Sequence, residues 1–345
     1  MRWPSPPPYR AFATKTSSHT QPIEQSSPRR RQSRMQLTRA AAVSQLGWFV
    51  LAACSSVPEP LEEEVSTRTQ AAEYVTLGNE NFSQGRYDAA IELFNLALIL
   101  DSTVDNEPGI VRANTSLAKT YLALGDLSAA ETHGQRALVM AERLGDQVLV
   151  AQSTNALGEV ALSADRSDLA LALFQEALNA PGETGDGSLA AVIRHNLAAS
   201  LKAQERYDEA LEELNLALAE NLLLTKLVEA ASNHYLAASI HSKVGRYQEA
   251  LNSATKALIL DRQMENSLGI AQDHRALGVI NSSLEEHEAA LQHYASAFRV
   301  YDSLGLTSRA RALLPLMVRS AENLGRDEEV ARLQALIGEP AAEER

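Results

Sequence analysis

One cysteine and eight histidines are the side chains in this chain of 345 residues whose reactivity could go beyond packing and charge. Cys54 stands alone, so no intrachain disulfide can form. His133, His234, His241, His274, His287 and His293 are dispersed, with no pair at metal-ligand spacing beside carboxylates. Such scattered histidines are expected on helix surfaces or partly packed, not gathered into one site. No glycine-rich phosphate loop and no Gly-x-Ser-x-Gly elbow is present. The residues therefore point away from an enzyme, with no metal or cofactor expected. Polar side chains held in a row by a scaffold are what remain to carry a function.

That scaffold is periodic. From residue 71 to residue 330 one pattern returns in strict register without insertion or deletion, which describes a stack of repeats and not a closed globule. Blocks open at the constant interval marked by Ala71, Val111, Ala151, Ala191, Ala231, Ala271 and Arg311. Position 8 is small in six of them (Gly78, Ala118, Gly158, Ala198, Ala238, Gly278), as are position 20 (Ala90 to Ala290) and position 27 (Ala97 to Ala297). Block 7 is looser, with Val318, Val330 and Ile337 in those places.

Each block divides into two helical patterns. In block 2 the stripe Leu117, Ala118, Tyr121, Leu122 turns at Gly125-Asp126 and resumes with Leu127, Ala130, Ala137, Leu138, so the two helices must lie antiparallel. Asp165, Glu205 and Glu285 occupy the slot that glycine fills in other blocks, and those turns are expected to be less comfortable. Alanine or glycine at positions 8 and 20 lets paired backbones approach, while larger residues at 7, 17 and 24 close around the seam, Leu77, Tyr87 and Phe94 being the fullest set.

On these residues the chain resembles the tetratricopeptide repeat family, whose signature is matched by Gly78, Tyr87, Ala90, Phe94 and Ala97, and again by Ala198, Leu201, Tyr207, Ala210, Leu214 and Ala217. The resemblance implies an all-α solenoid of about seven helical hairpins in a right-handed superhelix, over residues 71–337. The family's usual block has about 34 residues, and the extra ones in each block here are expected to lengthen the second helix. In block 3 that helix is expected to stop at Ala180, before Pro181-Gly182. Pro315 makes an awkward start for block 7, which reads as a terminal cap before a charged tail at 338–345.

By the family's geometry, positions 2, 5, 9 and 12 of each first helix face a concave groove. Arg112, Lys119, Asn155, Glu159, His195, Tyr235 and Arg275 are then the candidate peptide-binding residues, polar and varied as a surface that reads a peptide would be. The clamp that some relatives use for a C-terminal carboxylate is missing, since Asn79 is paired with Val75 in its block.

The front of the chain bears on compartment. Residues 1–34 carry seven basic residues and one acidic residue with no periodic apolar pattern, and read as a disordered extension or a mis-assigned start. Residues 35–53 resemble a signal peptide, and Leu51-Ala52-Ala53-Cys54 resembles the bacterial lipobox. That resemblance implies acylation of Cys54 with palmitate-type chains, and Ser55 behind it resembles the outer-membrane sorting signal. Residues 54–70 would then form the lipidated cysteine and its flexible tether.

The chain has a formal charge of −13, and residues 54–345 alone hold 23 basic against 43 acidic residues, or −20. Nucleic acid is an unfavoured partner for such a body. The excess acid is expected to keep the solenoid soluble or to select basic partners. Taken together, these features describe a lipid-anchored scaffold or adaptor on the periplasmic face of the bacterial outer membrane. It would recruit a protein or peptide in pilus, secretion or cell-wall assembly. Two alternatives are a homo-oligomerising structural lipoprotein and a cytoplasmic regulatory protein of the same repeat family.

Overall fold

The computed structural model describes residues 66–180 and 188–338. The extension, signal segment, Cys54, the loop after Ala180 and the charged tail beyond Gly338 lie outside the described residues. Among those described, every regular element is a helix. Four hairpins come first: α1 (Thr67–Ser83) with α2 (Tyr87–Thr103), α3 (Glu107–Leu124) with α4 (Leu127–Leu144), α5 (Gln147–Ser163) with α6 (Ser167–Leu178), and α7 (Ser188–Ala203) with α8 (Tyr207–Leu223). Then follow α9 (Leu227–Lys243) with α10 (Tyr247–Gln263), and α11 (Ser267–Ser283) with α12 (His287–Ser303). The last unit is α13 (Thr307–Arg311), α14 (Leu314–Asn323) and α15 (Asp327–Gly338).

Helices of nearly equal length recur at half the repeat interval, and the turns explain why. Gly85, Asp105, Gly125, Gly145, Asp165, Glu205, Thr225, Gly245, Glu265, Glu285, Gly305 and Gly325 all have positive φ, between 48° and 82°. Such a left-handed residue stops a helix and lets the next amide bond back to a carbonyl one helical turn and more behind it, as Asn106 N–H does to Asp101 O at 2.9 Å. Asp165, Glu205 and Glu285 do occupy this strained conformation. The same device also separates one hairpin from the next, which corrects the expected lengthening of the second helix. Because Asp105 ends α2, the additional residues are shared, and α3 already begins at Glu107, ahead of Val111. By the same division Thr67–Gln70, read as tether, belong to α1, whose N-terminus is capped by Ser66 accepting from Thr69 N–H at 3.2 Å.

The seam of small residues is where the helices meet. Ala130 and Ala210, together with their equivalents in the other strict blocks, are fully buried. A side chain at Gly78, Gly158 or Gly278 would collide with Phe94, Phe174 or Tyr294, so glycine at position 8 sits under an aromatic ring at position 24. Blocks with alanine at position 8 carry Gly134, Leu214 or Ala254 opposite it. Leu77 departs from the expected packing: it is 45% exposed, whereas its equivalent Leu117 is fully buried. Position 7 packs on the preceding hairpin, and α1 has none among the described residues.

Two chain breaks fall close to where proline demanded them. α6 ends at Leu178, just short of the stop expected at Ala180. At Pro315 the first helix of the last unit splits into α13 and α14, with the proline in the first turn of α14, where its missing N–H costs nothing. Leu313, Leu314 and Met317 then cover Tyr294 and Tyr301 of α12.

Each second helix packs between its own first helix and the next one, and successive first helices also touch one another directly, as α3 and α5 do. Second helices make no comparable contact among themselves. The first helices are therefore crowded together on the inner side of the curve and the second helices spread along the outer side.

Candidate functional site

The candidate residues lie on α3, α5, α7, α9 and α11. Arg112 is exposed on α3, and Lys119 is half-buried further along it. Neighbouring Thr115 is buried, its hydroxyl 3.3 Å from that of Ser153 on α5. Direct contact between first helices thus ties inner-face residues to one another.

That tie corrects the reading of two candidates. Asn155 is 1% exposed. Its amide donates to Glu159 Oε1 at 2.8 Å and its carbonyl accepts from Asn196 of α7 at 3.0 Å. Asn196 also donates to Glu159 at 2.9 Å. The three side chains form a bridge between α5 and α7, so Asn155 is held inside the scaffold instead of being displayed for a ligand, and Glu159 is partly neutralised by two donors. His195 is similarly engaged, its Nδ1–H donating to Asn233 Oδ1 at 2.7 Å. Burial lowers the His195 pKa against the opposing effects of that bond and of Glu159, which leaves a neutral ring with Nε2 as an acceptor.

Tyr235 and Arg275 are placed differently. They line a cleft of about 360 Å³ between α9 and α11, along with Ser239, Lys243 and Val279. Lys202 of α7 reaches the same place, donating to Ser239 Oγ at 2.8 Å. Its pKa is lowered, mostly by burial and then by the charge of Lys243. Lys202, Lys243 and Asn196 were not among the sequence candidates. Lys202 stands at position 12 and had a signal available; Lys243 and Asn196 lie one place beside groove positions, where only the packing reveals them.

Among the described residues, His133, His274 and His293 lie inside their hairpins. His133 donates from Nδ1 to Asn114 Oδ1 at 2.9 Å and stacks on Tyr121 with ring centroids 5.4 Å apart. Four hairpins on, the same two positions hold His274 and His293, whose Nδ1 atoms are 2.9 Å apart. Burial, then His293, then Arg262 and Arg299 push the His274 pKa down to about 4. In the fourth hairpin Arg194 and Glu213 pair there at 2.8 Å. No group of three or more His, Cys, Asp or Glu among the described residues is arranged to hold a metal ion.

Two further features lay beyond sequence reasoning. Asp273 on α11 is 1% exposed beside Asp261 of α10, and its carboxyl is pushed up to about 8, first by burial and then by the neighbouring Asp261 charge. On the outer side, a cavity of about 900 Å³ opens between α2, α3 and α4, lined by Ile110, Thr132, Arg136, Val139 and Met140 among others.

Comparison with known proteins places this geometry. The family model for the tetratricopeptide repeat matches residues 70–143, 109–181 and 228–303. No curated protein sequence matches the chain. Among solved structures, a Rap protein complexed with competence and sporulation factor is similar at a TM-score of 0.62 and 16% identity, over 78% of this chain and 74% of that one. The Rap conjugation gene regulator of the plasmid pLS20, in complex with the Phr* peptide, gives 0.61 and 15%, over 86% and 83%. PilW, a type IV pilus biogenesis factor, gives 0.50 and 18%, over 71% of this chain and 98% of that one. At such identities the likeness is one of fold.

Proposed function

Because the chain belongs to the tetratricopeptide repeat family, we propose that it is a non-enzymatic scaffold whose inner groove holds an extended segment of a protein partner. The observation that carries this reading is the cleft between α9 and α11, where Tyr235 offers rigid aromatic area and Ser239, Lys243 and Arg275 offer donors. The similar Rap regulator in complex with the Phr* peptide lends support to a peptide in the groove. In the finer version of the proposal, Cys54 is acylated and tethers the scaffold to the periplasmic face of the outer membrane, where it serves pilus, secretion or cell-wall assembly. The lipobox-like tetrad and the likeness to PilW favour that version.

A photocrosslinking residue in place of Tyr235, compared with one in place of Glu212, exposed on the outer helix α8, tests the groove in intact cells. Capture from Tyr235 and not from Glu212 is expected; the reverse would transfer the binding surface to the outer wall. Fractionation of cells making the native chain and its Cys54→Ala variant tests the anchor. Membrane recovery that depends on Cys54 is expected, whereas recovery of both in the soluble cytoplasm would favour a regulator. Self-association is a second reading, favoured by Leu336 and Ile337, which are exposed on the last helix α15. A doubled mass in light scattering would support it.

A further inference from the structure

The inner face is opposite in sign to the molecule that carries it. Residues 54–345 have a charge of −20, yet at positions 2, 5, 9 and 12 the first helices hold Arg112, Lys119, Lys202, Arg275 and Arg319, with Lys243 one place beyond, against Glu159 and Glu322. Glu159 already accepts hydrogen bonds from Asn155 and Asn196. None of the six cations forms an ion pair among the described residues. Lys202 is half-buried against Ser239 with Lys243 beside it and no carboxylate in reach, so two like charges are held together where an anion would relieve them. Whole-chain acidity suggested basic partners; the groove itself asks for the reverse.

From α7 onward each first helix contributes one such cation: Lys202, Lys243 on α9, Arg275 on α11 and Arg319 on α14. They stand at positions 12, 13, 5 and 9 of their blocks, so they form a staggered patch across the groove and not a single row. We propose that the C-terminal half of the groove takes an extended acidic segment of a partner protein, its Asp and Glu side chains meeting these cations. This rests on the groove reading given above. A nucleic acid fits less well, because strand beyond the groove would run against the acidic outer helices.

Fluorescence anisotropy of the purified full chain tests the proposal with three labelled probes: a Glu-rich peptide, its Lys counterpart, and single-stranded DNA of similar length. The acidic peptide is expected to bind, more weakly as salt rises, and to lose about tenfold or more in the Lys243→Glu/Arg275→Glu double variant, which should gain the Lys peptide. Both replaced side chains are exposed, and an unchanged circular dichroism melt confirms the fold. Equal binding of the acidic peptide by both proteins, or tighter binding of DNA than of peptide, overturns the proposal. Sequencing the segment captured at Tyr235 separates the two readings. An acidic segment supports both, and a neutral or basic one overturns the acidic proposal while leaving the groove in place. Capture only at Glu212 overturns the groove itself.

Discussion

A methyl group on Gly158 would run into Phe174 Cε1, which forces the ring or the backbone to move. Gly158→Ala is therefore expected to cost about 1–3 kcal/mol by overpacking. Adding Phe174→Leu reproduces the Ala198/Leu214 pairing of the next hairpin and should recover most of that loss in urea unfolding; additive losses would show that the two positions do not pack as a pair. The need for small residues at position 8 was legible in the sequence. The choice between glycine and alanine was not, since it depends on which side chain lies across the seam. Asp273 was equally hidden, because its partner Asp261 sits on the neighbouring helix. An unfolded aspartate has lost its proton well below neutrality, while folded Asp273 keeps one up to about 8 and Asp261 is raised as well. The folded state thus binds the extra proton, and stability from this pair falls as pH rises toward 8. His274, lowered to about 4 from 6.5, acts in the opposite direction, but only below 6.5. Thermal melts should therefore show stability declining between pH 6.5 and 8 and levelling above it, with Asp273→Asn flattening the decline. Parallel profiles for the two proteins would count against a shared proton.

Among the described residues, helix boundaries are decided by left-handed residues that recur at twenty-residue steps. Within hairpins this was readable, because Gly85, Gly125 and Gly245 announce it and polar residues fill the same slot elsewhere. Between hairpins it was missed: Gly145 and Gly305 carry the same signal, but Asp105, Thr225 and Glu265 do not, and the family's shorter template assigns the surplus to the second helix. Thr225 is the most telling, a β-branched residue at φ 55° where such side chains are strained. Thr225→Gly is expected to stabilise the protein by about 1 kcal/mol, the relief of strain outweighing the added freedom of the unfolded chain. A melting temperature that stays put or falls would mean that Thr225 repays its backbone strain through contacts of its own.

Across the whole stack, each hairpin leans only on its neighbours, so cohesion is local. Two equally large buried clusters join α5 through α9 and α11 through α15, but the first lies mid-stack, whereas α1 lacks a preceding hairpin and α15 buries little beyond Leu333. Amide exchange should therefore be slowest in α7 and α8 and fastest in α1 and α15; uniform protection along the chain would contradict this gradient. The run of inner-face positions was legible as a whole because the repeat is strict, and Tyr235 and Arg275 do share a cleft. Asn155 was misjudged because periodicity specifies a direction and not a neighbour, and Asn196 turned out to be that neighbour. The equal helices have one more consequence. A single helix gained or lost with its turn, anywhere in the stack, would keep every later turn in step yet turn the remainder inside out, exchanging the lining of the hollow for its outer wall. Growth of this architecture is neutral to recognition only in doublets, which makes the pair of helices the smallest piece that can be added while every cation downstream stays on its side.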